Sequence, residues 1–589
     1  EHMGLLKLDV LGVRMQSALA YAIDQVYQVQ GPDAHGADST GKINLESVPR
    51  DDPKTFALIQ STKTLGCFQI ESPGQRELIG KFAPVSFGDL ITDISLFRPG
   101  PVKSDMITPF LRARQGWGMT DYMHSDLKEI LTETSGVVVF HEQVMRIVSV
   151  MTGCSLEAAD LIRRRMGDYE QLDEIREWFY KSLRSRGYKL EVIEQVWDVL
   201  RAFASFGFCK AHAAAFALPT YQSAWFKTHH PAAFLAGVLT HDPGMYPKRL
   251  IADDARSFGV EILGLDVNAS KDTYRVELTT SGNQGIRIPL SEVKGISEQE
   301  VADIISAQPY SSLADFVIRS KASRPIVERI ILAGGFDALH DPLVSRRDLL
   351  FHAAELSAEH KLKRTARSRI GNQISLGMQE TVWIPEPTGL PALSLADRVK
   401  YEIEVLGIDV SAHIMSFYGQ MLAELNAVPA KHLLQVRSRS NVLIAGVKVA
   451  TQTPPIRSGK RVAFITLEDS TGPIDATFFE AAQDQYAPVL FHSWLLLVSG
   501  TVRRTGPRGV SILANGCWEL SEVYRHWKTG GVKSVLDLIG STPINQLDPV
   551  APTQIWEHAS GFRSSPLADV RPAGSDIARS MRSAAKMAP

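Results

Sequence analysis

Six short signatures in the first 235 residues carry side chains suited to metal, phosphate or proton chemistry: GLLKLDVLGVR (4–14), FQIES (68–72), SLFRPGP (95–101), HEQVM (141–145), RRRMGD (163–168) and FGFCKAHAAAFAL (206–218). Asp9 stands in an apolar run that reads as a strand, with Lys7 two residues away on the same face. A carboxylate there suits a hard divalent cation, and its plain alternative is a strand-end residue with a satisfied hydrogen bond. Arg98, the consecutive Arg163, Arg164 and Arg165, and Lys210 with His212 are cationic groups of the kind that meet polyanions. The alternative for the arginine cluster is a solvated basic face, and three adjacent arginines cannot all share one side of a helix. Gln69, Glu71 and Ser72, and Glu142 with Gln143, are polar residues inside apolar segments, so burial would oblige them to hydrogen-bond. Framing a ligand pocket and holding a purely structural network are both open to them.

Other chemistries find no support. There is no Asp-x-Asp, His-x-His, His-Glu-x-x-His or Walker-type glycine loop. The four cysteines, Cys67, Cys154, Cys209 and Cys517, are far apart, which excludes a disulfide framework or Cys-x-x-Cys zinc site and fits a reducing, cytoplasmic setting.

The elements that position these residues follow from periodicity. LLKLDVL is a strand and SALAYAIDQVYQV a helix, giving a first unit over 1–30. A Gly, Pro and Asp-rich stretch separates it from a helical region over 43–270. Residues 271–345 hold two helix, glycine-turn, helix units, IPLSEVKGISEQEVADIISA and SRPIVERIILAGGFDAL. In such units a tight turn, here Lys294 and Gly295, aims backbone amides at a DNA phosphate; the plain alternative is an ordinary helical turn. A helical and proline-rich connector covers 346–435. About five short strands over 436–522 suit a small barrel, with Phe464, Phe478, Phe479, Arg503 and Arg504 as candidates for stacking and phosphate contact. Most aromatics in so small a barrel pack its core. Beyond 522 the apolar periodicity fades, and 523–589 reads as a partly disordered tail.

At 589 residues the chain has room for about four domains. Its 44% hydrophobic and 22% charged content is ordinary for a soluble protein, and no long apolar run suggests a membrane span. The net charge of −2 argues weakly against nucleic acid, but basic residues cluster at 163–165, 361–369 and 503–508.

The ordered set of signatures resembles the bacterial DNA polymerase III alpha (DnaE) family, from the last part of the palm through the fingers. The resemblance implies a multidomain, mainly α protein with a β-barrel: palm remnant, helical fingers, helix-hairpin-helix pair and OB-fold domain. It implies a DNA-directed DNA polymerase using two Mg2+ ions, with primed template DNA and deoxynucleoside triphosphates as substrates. Asp9 matches a palm metal ligand and Lys7 the lysine beside it. Arg98, Arg163, Arg164, Lys210 and His212 match basic finger positions, and Gln69 and Ser72 are assigned to the nucleotide pocket. The Asp-x-Asp that holds the family's other two carboxylates is absent, so this chain is expected to be inactive alone. EVLGIDVSAH, VLIAGVKVATQTPP, FHSWLLLVSGTVRRTGPRGVSILANG and ASGFRSSPLADVRPAG look most like the error-prone (ImuC-type) branch. That branch implies translesion synthesis in the DNA damage response, with the sliding clamp and mutasome accessory proteins as partners. The replicative subunit and a non-catalytic DNA-binding and docking module are the alternatives. Gln373 to Met378 is a degenerate match to a clamp-binding peptide.

Overall fold

A computed structural model describes residues 12–96, 107–114, 120, 122–167, 171–204, 208–356, 387–453, 462–504, 509–541, 556–557 and 563–564. Asp9, Lys7, Arg98 and the 373–378 peptide lie outside the described residues, as does nearly all of the chain beyond 541.

Helix α1 (Arg14–Gln30) buries Met15, Ala18, Leu19, Ala22 and Val26, one face at helical spacing. Short helices α2 (Pro53–Gln60), α3 (Pro73–Phe82), α4 (Phe87–Leu96) and α5 (Ile107–Arg114) follow. A four-helix group comes next: α6 (His141–Thr152), α7 (Leu156–Arg165), α8 (Leu172–Ser185) and α9 (Leu190–Ala204). It surrounds its own core of Val144, Ile147, Val148, Phe179, Leu183, Val196 and Trp197. The long α10 (Lys210–His229), α11 (Pro231–His241) and α12 (Lys248–Ser257) return to α1. Gly237 of α11 permits that approach, because a Cβ there would lie 2.3 Å from the Ala18 carbonyl oxygen.

Two packing centres join these groups. The main core runs from α1 through α10, α11 and α12 into the barrel. A smaller cluster of Leu78, Phe82, Phe110, Val139, Phe140 and Ala213 ties α3 and α5 to the starts of α6 and α10, with the Phe82 and Phe110 rings stacked at 5.3 Å.

A three-stranded sheet follows, β1 (Glu261–Leu263), β2 (Arg275–Leu278) and β3 (Gln284–Arg287), in the order β1-β3-β2. It leads to α13 (Glu298–Ser306), α14 (Leu313–Arg319) and α15 (Arg324–Leu332). Helix α16 (Leu395–Leu406) precedes a closed barrel in the order β4-β5-β6-β8-β7, where β4 is Asn441–Gln452, β5 Ala463–Glu468, β6 Pro473–Phe478, β7 Leu495–Arg504 and β8 Val510–Glu519. Helix α17 (Glu480–His492) links β6 to β7, and β6 pairs with β8 in parallel, the arrangement of an OB fold. The expected mainly α architecture with a five-stranded barrel is what forms.

Past 522 the chain is more regular than its periodicity suggested. Helix α18 (Leu520–Ser541), broken at Gly531, packs on the barrel through Val523 and Val535. Its two anchors flank the break, so no single apolar stripe marks it in sequence.

Buried charge pairs fasten the barrel to α3 and α12 to its neighbours. Arg76 of α3 grips Asp475 of β6 with Nη2 at 2.9 and 2.8 Å from the two carboxylate oxygens, and Thr466 donates to the same carboxylate at 2.8 Å. Arg249 of α12 forks onto Asp409 at 3.0 and 2.9 Å, with both side chains at most 2% exposed. Lys227 of α10 meets Asp254 of α12 at 2.6 Å and donates to the Leu65 carbonyl. Between finger residues 61–77, α12 and the barrel strands a cavity of about 380 Å³ remains, lined by Lys63, Arg76, Asp253, Lys431, Phe464 and Asp475 among others.

Asp475→Ala would leave the Arg76 guanidinium buried without a counter-ion, at a cost of about 3 kcal/mol. Thermal unfolding should show a clear fall in Tm for Asp475→Ala and a smaller one for the Arg76→Met/Asp475→Leu pair; equal losses would remove the seam's role. Inside the barrel, Lys448 gives its ammonium to the Leu490 and Phe491 carbonyls at 2.7 and 3.2 Å, and burial pushes its pKa down to about 8. The folded state therefore holds fewer protons than the unfolded one between pH 8 and the ordinary lysine value of 10.5, so this group's penalty is full below pH 8 and fades as pH rises. Relative to Lys448→Met, the wild-type Tm should rise across that window; a constant difference would count against it.

Candidate nucleotide and nucleic-acid site

The starts of α6 and α10 are laid side by side by a parallel bridge between Phe140 and Phe208, where the His141 amide donates to the Phe208 carbonyl at 2.8 Å. Glu142 then reaches the first turn of α10. Both of its oxygens accept from the Lys210 amide at 3.0 Å, and one accepts from the Cys209 thiol at 3.3 Å. Those hydrogen bonds outweigh partial burial and hold its carboxyl below the usual range. The N-terminus of α10, a natural anion site, is thus occupied by the protein's own carboxylate.

The Lys210 ammonium bonds Glu133 at 2.6 Å, and exposed His212 sits edge-on between Phe208 and Phe216, at 5.1 and 4.4 Å between ring centroids. Phe216 in turn lies 5.6 Å from Phe68, which brings the FQIES turn to the same cleft. There Gln69 is exposed at a left-handed φ of 65°, while the Ser72 hydroxyl caps α3 by accepting from the Gln75 amide. Glu71 turns inward to the Met245 and Gly66 amides at 2.8 and 3.1 Å. Gln143 is wholly structural: its oxygen accepts from the Val139 and Phe140 amides, and its nitrogen donates to Thr134 and Ile130.

Arg163 and Arg164 end α7 on this side. Helix α7 packs against α6, and burial, followed by the Arg163 cation, pushes the His141 imidazole pKa down. Both arginines fork onto Asp160: Arg163 through Nε and Nη2 at 3.0 and 2.8 Å, Arg164 through Nε at 2.9 Å. Arg165 points elsewhere, to Gln171 and Glu174. Sequence reading singled out the arginines and passed over Asp160, although its i−3 and i−4 spacing was the available signal.

Lys294 and Gly295 lie between β3 and α13, and Arg503 and Arg504 end β7. Gly295 holds φ +79°, and a Cβ there would meet Arg329 Nη1 at 2.7 Å. The Lys294 amide is taken by the Val405 carbonyl at 2.9 Å, so this residue offers a phosphate its exposed ammonium rather than its amide. In the second hairpin the Gly334 and Gly335 amides close the end of α15 on the Ile331 and Ile330 carbonyls, and Arg346 covers the turn. On the barrel, Phe478 is core, Phe464 faces the finger cavity and Phe479 is 44% exposed. Arg503 is half exposed and 3.9 Å from Glu77 of α3, and Arg504 Nε donates to the Val436 carbonyl at 3.3 Å.

Among the described residues one trio has metal-ligand types within reach, Asp253, His413 and Glu468, with donor atoms within 4.8 Å of one another. His413 Nδ1 accepts from the Met415 amide at 3.2 Å, which keeps the proton on Nε2, and Nε2 donates to Glu468 at 2.6 Å. A metal on Nε2 requires the reverse tautomer, and Arg249 Nη2 already lies 3.1 Å away. The trio is a clasp between α12, the 409–413 segment and β5.

Three family models match in chain order. Residues 15–187 match the bacterial DNA polymerase III alpha subunit finger domain, 259–349 a helix-hairpin-helix motif and 442–520 an OB-fold nucleic acid binding domain. The chain carries the finger, helix-hairpin-helix and OB region of the DNA polymerase III alpha family. An error-prone DNA polymerase of Symbiobacterium thermophilum is 34% identical over 528 residues, covering 83% of this chain and 47% of the relative. The DNA polymerase III subunit alpha of Vibrio cholerae is 30% identical (85% and 44%), and an error-prone DNA polymerase of Nocardia farcinica 31% (87% and 43%). The chain therefore spans less than half the length of these relatives, whose names include both polymerase types at similar identity. The described residues contain no helix long and apolar enough to cross a membrane.

Glu142→Gln should loosen the first turn of α10, by about 1 kcal/mol as for a lost helix cap. Hydrogen exchange at 210–214 reads this directly, and unchanged protection there would show that the carboxylate is not the cap.

Proposed function

We propose that this chain supplies the nucleotide-gripping fingers and the DNA-tracking modules of an error-prone, alpha-type DNA polymerase. The observation that carries the reading is the Phe140–Phe208 bridge, which sets the start of α10 with Lys210 and His212 beside the start of α6, against which the Arg163 and Arg164 helix packs, in a chain whose residues 15–187 match the family's finger domain. A triphosphate in this cleft would meet side-chain cations rather than the amides of α10, because Glu142 fills that helix end. Arg98, Gln69 and Ser72 are assigned to the same pocket, Ser72 through the α3 cap that shapes its wall.

Asp9, with Lys7 beside it, is the proposed metal ligand of the parent polymerase. Two-metal nucleotidyl transfer needs further carboxylates. The sequence offers no Asp-x-Asp and the Asp253–His413–Glu468 trio is unsuited, so no catalytic step is assigned to Mg2+ within this chain. Lys294 and Gly295 on the first hairpin, with Arg503 and Arg504 on the barrel, are the proposed phosphate contacts for primed template. The error-prone assignment rests on the sequence motifs between 404 and 574; translesion work with the sliding clamp and mutasome proteins belongs to that assignment. The replicative reading keeps support from relatives named DNA polymerase III subunit alpha.

Primer extension by this chain beside its full-length parent tests the division of labour. The chain alone should not extend, yet should bind primed template with an affinity that falls as salt rises. Asp9→Asn in the parent should abolish extension and spare DNA binding. Extension by the chain alone, or an unaffected Asp9→Asn rate, would overturn the assignment.

A further inference from the structure

The cleft proposed for the nucleotide is electrostatically balanced by its own side chains. Among the described residues, three of the candidate cations and one helix end have internal anions: Arg163 and Arg164 share Asp160, the Lys210 ammonium has Glu133, and the start of α10 has Glu142. These pairs differ in what they occupy. A guanidinium grips a phosphate or carboxylate best side-on, through Nε and one terminal nitrogen together. In Arg163 that edge is on Asp160, at 3.0 and 2.8 Å, and Arg164 presents Nε and Nη2 to the other oxygen of the same carboxylate, both at 2.9 Å. Asp160 therefore holds the donor edges a phosphate would use. Its side chain is about one-quarter exposed, Arg163 is 19% exposed and Arg164 71%, so an entering anion can reach the pair without unpacking the helix.

We infer that Asp160 is an affinity-setting counter-anion of the nucleotide cleft, a carboxylate that a triphosphate must displace to reach Arg163 and Arg164. This rests on the cleft being the nucleotide site. Its consequence runs opposite to that of a binding residue. Loss of its charge strengthens triphosphate binding, because the arginine forks are released and the local net charge rises by one. Base identity does not enter, so a bare polyphosphate feels the change as strongly as a nucleotide.

The test titrates the chain with dATP and with inorganic tripolyphosphate, magnesium omitted, comparing wild type, Asp160→Asn, Asp160→Glu and Arg163→Gln. Asp160→Asn should bind both probes about five-fold more tightly and with a steeper salt dependence, as expected for one added net charge. Asp160→Glu, which keeps the anion, should stay within about two-fold of wild type. Arg163→Gln should weaken both probes. Thermal unfolding checks that α7 remains intact, since the pairs changed are local and partly exposed. If Arg163→Gln weakens binding while Asp160→Asn leaves it equal or weaker, Asp160 orients the forks and the inference falls with the cleft reading intact. If Arg163→Gln changes nothing, or no variant binds either probe, the cleft reading fails and takes the inference with it.

Discussion

An ionised side chain removed from water costs several kcal/mol unless an opposite charge meets it in good geometry. The junction of α3 and α12 with the barrel and the segment before it is built on that condition. Arg76 and Asp475 lie 399 residues apart in sequence, and each is acceptable in its buried place because the other is there. The same holds for Arg249 and Asp409 across 160 residues. Burial of this kind is a specification more than a source of stability. It accepts one placement of the barrel against α3 and α12 and penalises neighbouring ones, since a shift of an ångström or two strands a charge without water or partner. The barrel is thereby seated with Phe464 and Asp475 toward the fingers.

The finger cleft follows a different rule. Its charges are partly exposed and paired over short ranges, so each pair is weak and exchangeable. Strong, buried, long-range pairs set the frame, and weak, accessible, local ones line the proposed working surface. A net charge of −2 thus coexists with local cations: Lys210 is paired with Glu133, Arg163 and Arg164 with Asp160, and Glu142 takes the amide at the start of α10.

What the sequence disclosed and what it hid divide along physical lines. Short apolar, β-branched runs such as NVLIAGVKVATQ and SWLLLVSGTVRR set between turns exposed the barrel strands, whose middles are buried on both faces, as at residues 444–447 and 495–498. Helical spacing did the same for α1 and α9. The basic clusters were legible as candidates, and Lys210 and His212 stand on the helix start that bridges to α6, on which the Arg163 helix packs. The buried ion pairs were not legible, since Arg76, Lys227 and Arg249 look like surface residues until a partner from a distant segment is found. The second hairpin shows the limit of motif reading: Gly334 and Gly335 supply the expected turn, but their amides close the preceding helix. Helix α18 escaped because Val523 and Val535 sit on opposite sides of a glycine break.

Helix α10 joins the two regimes. Its first turn carries Lys210 and His212, and its last carries Lys227, locked to Asp254, and His229, 2.8 Å from Asp52. Twenty residues of α-helix span about 30 Å. One continuous helix thus runs from the start of α6 to the Lys227–Asp254 pair, with Pro219 midway as its point of bending, and a tilt of about 2° at one end moves the other by about 1 Å over such a length. A displacement at the Lys210 end would therefore reach Lys227, Asp254 and Asp52 through the helix itself, with no intervening loop to absorb it.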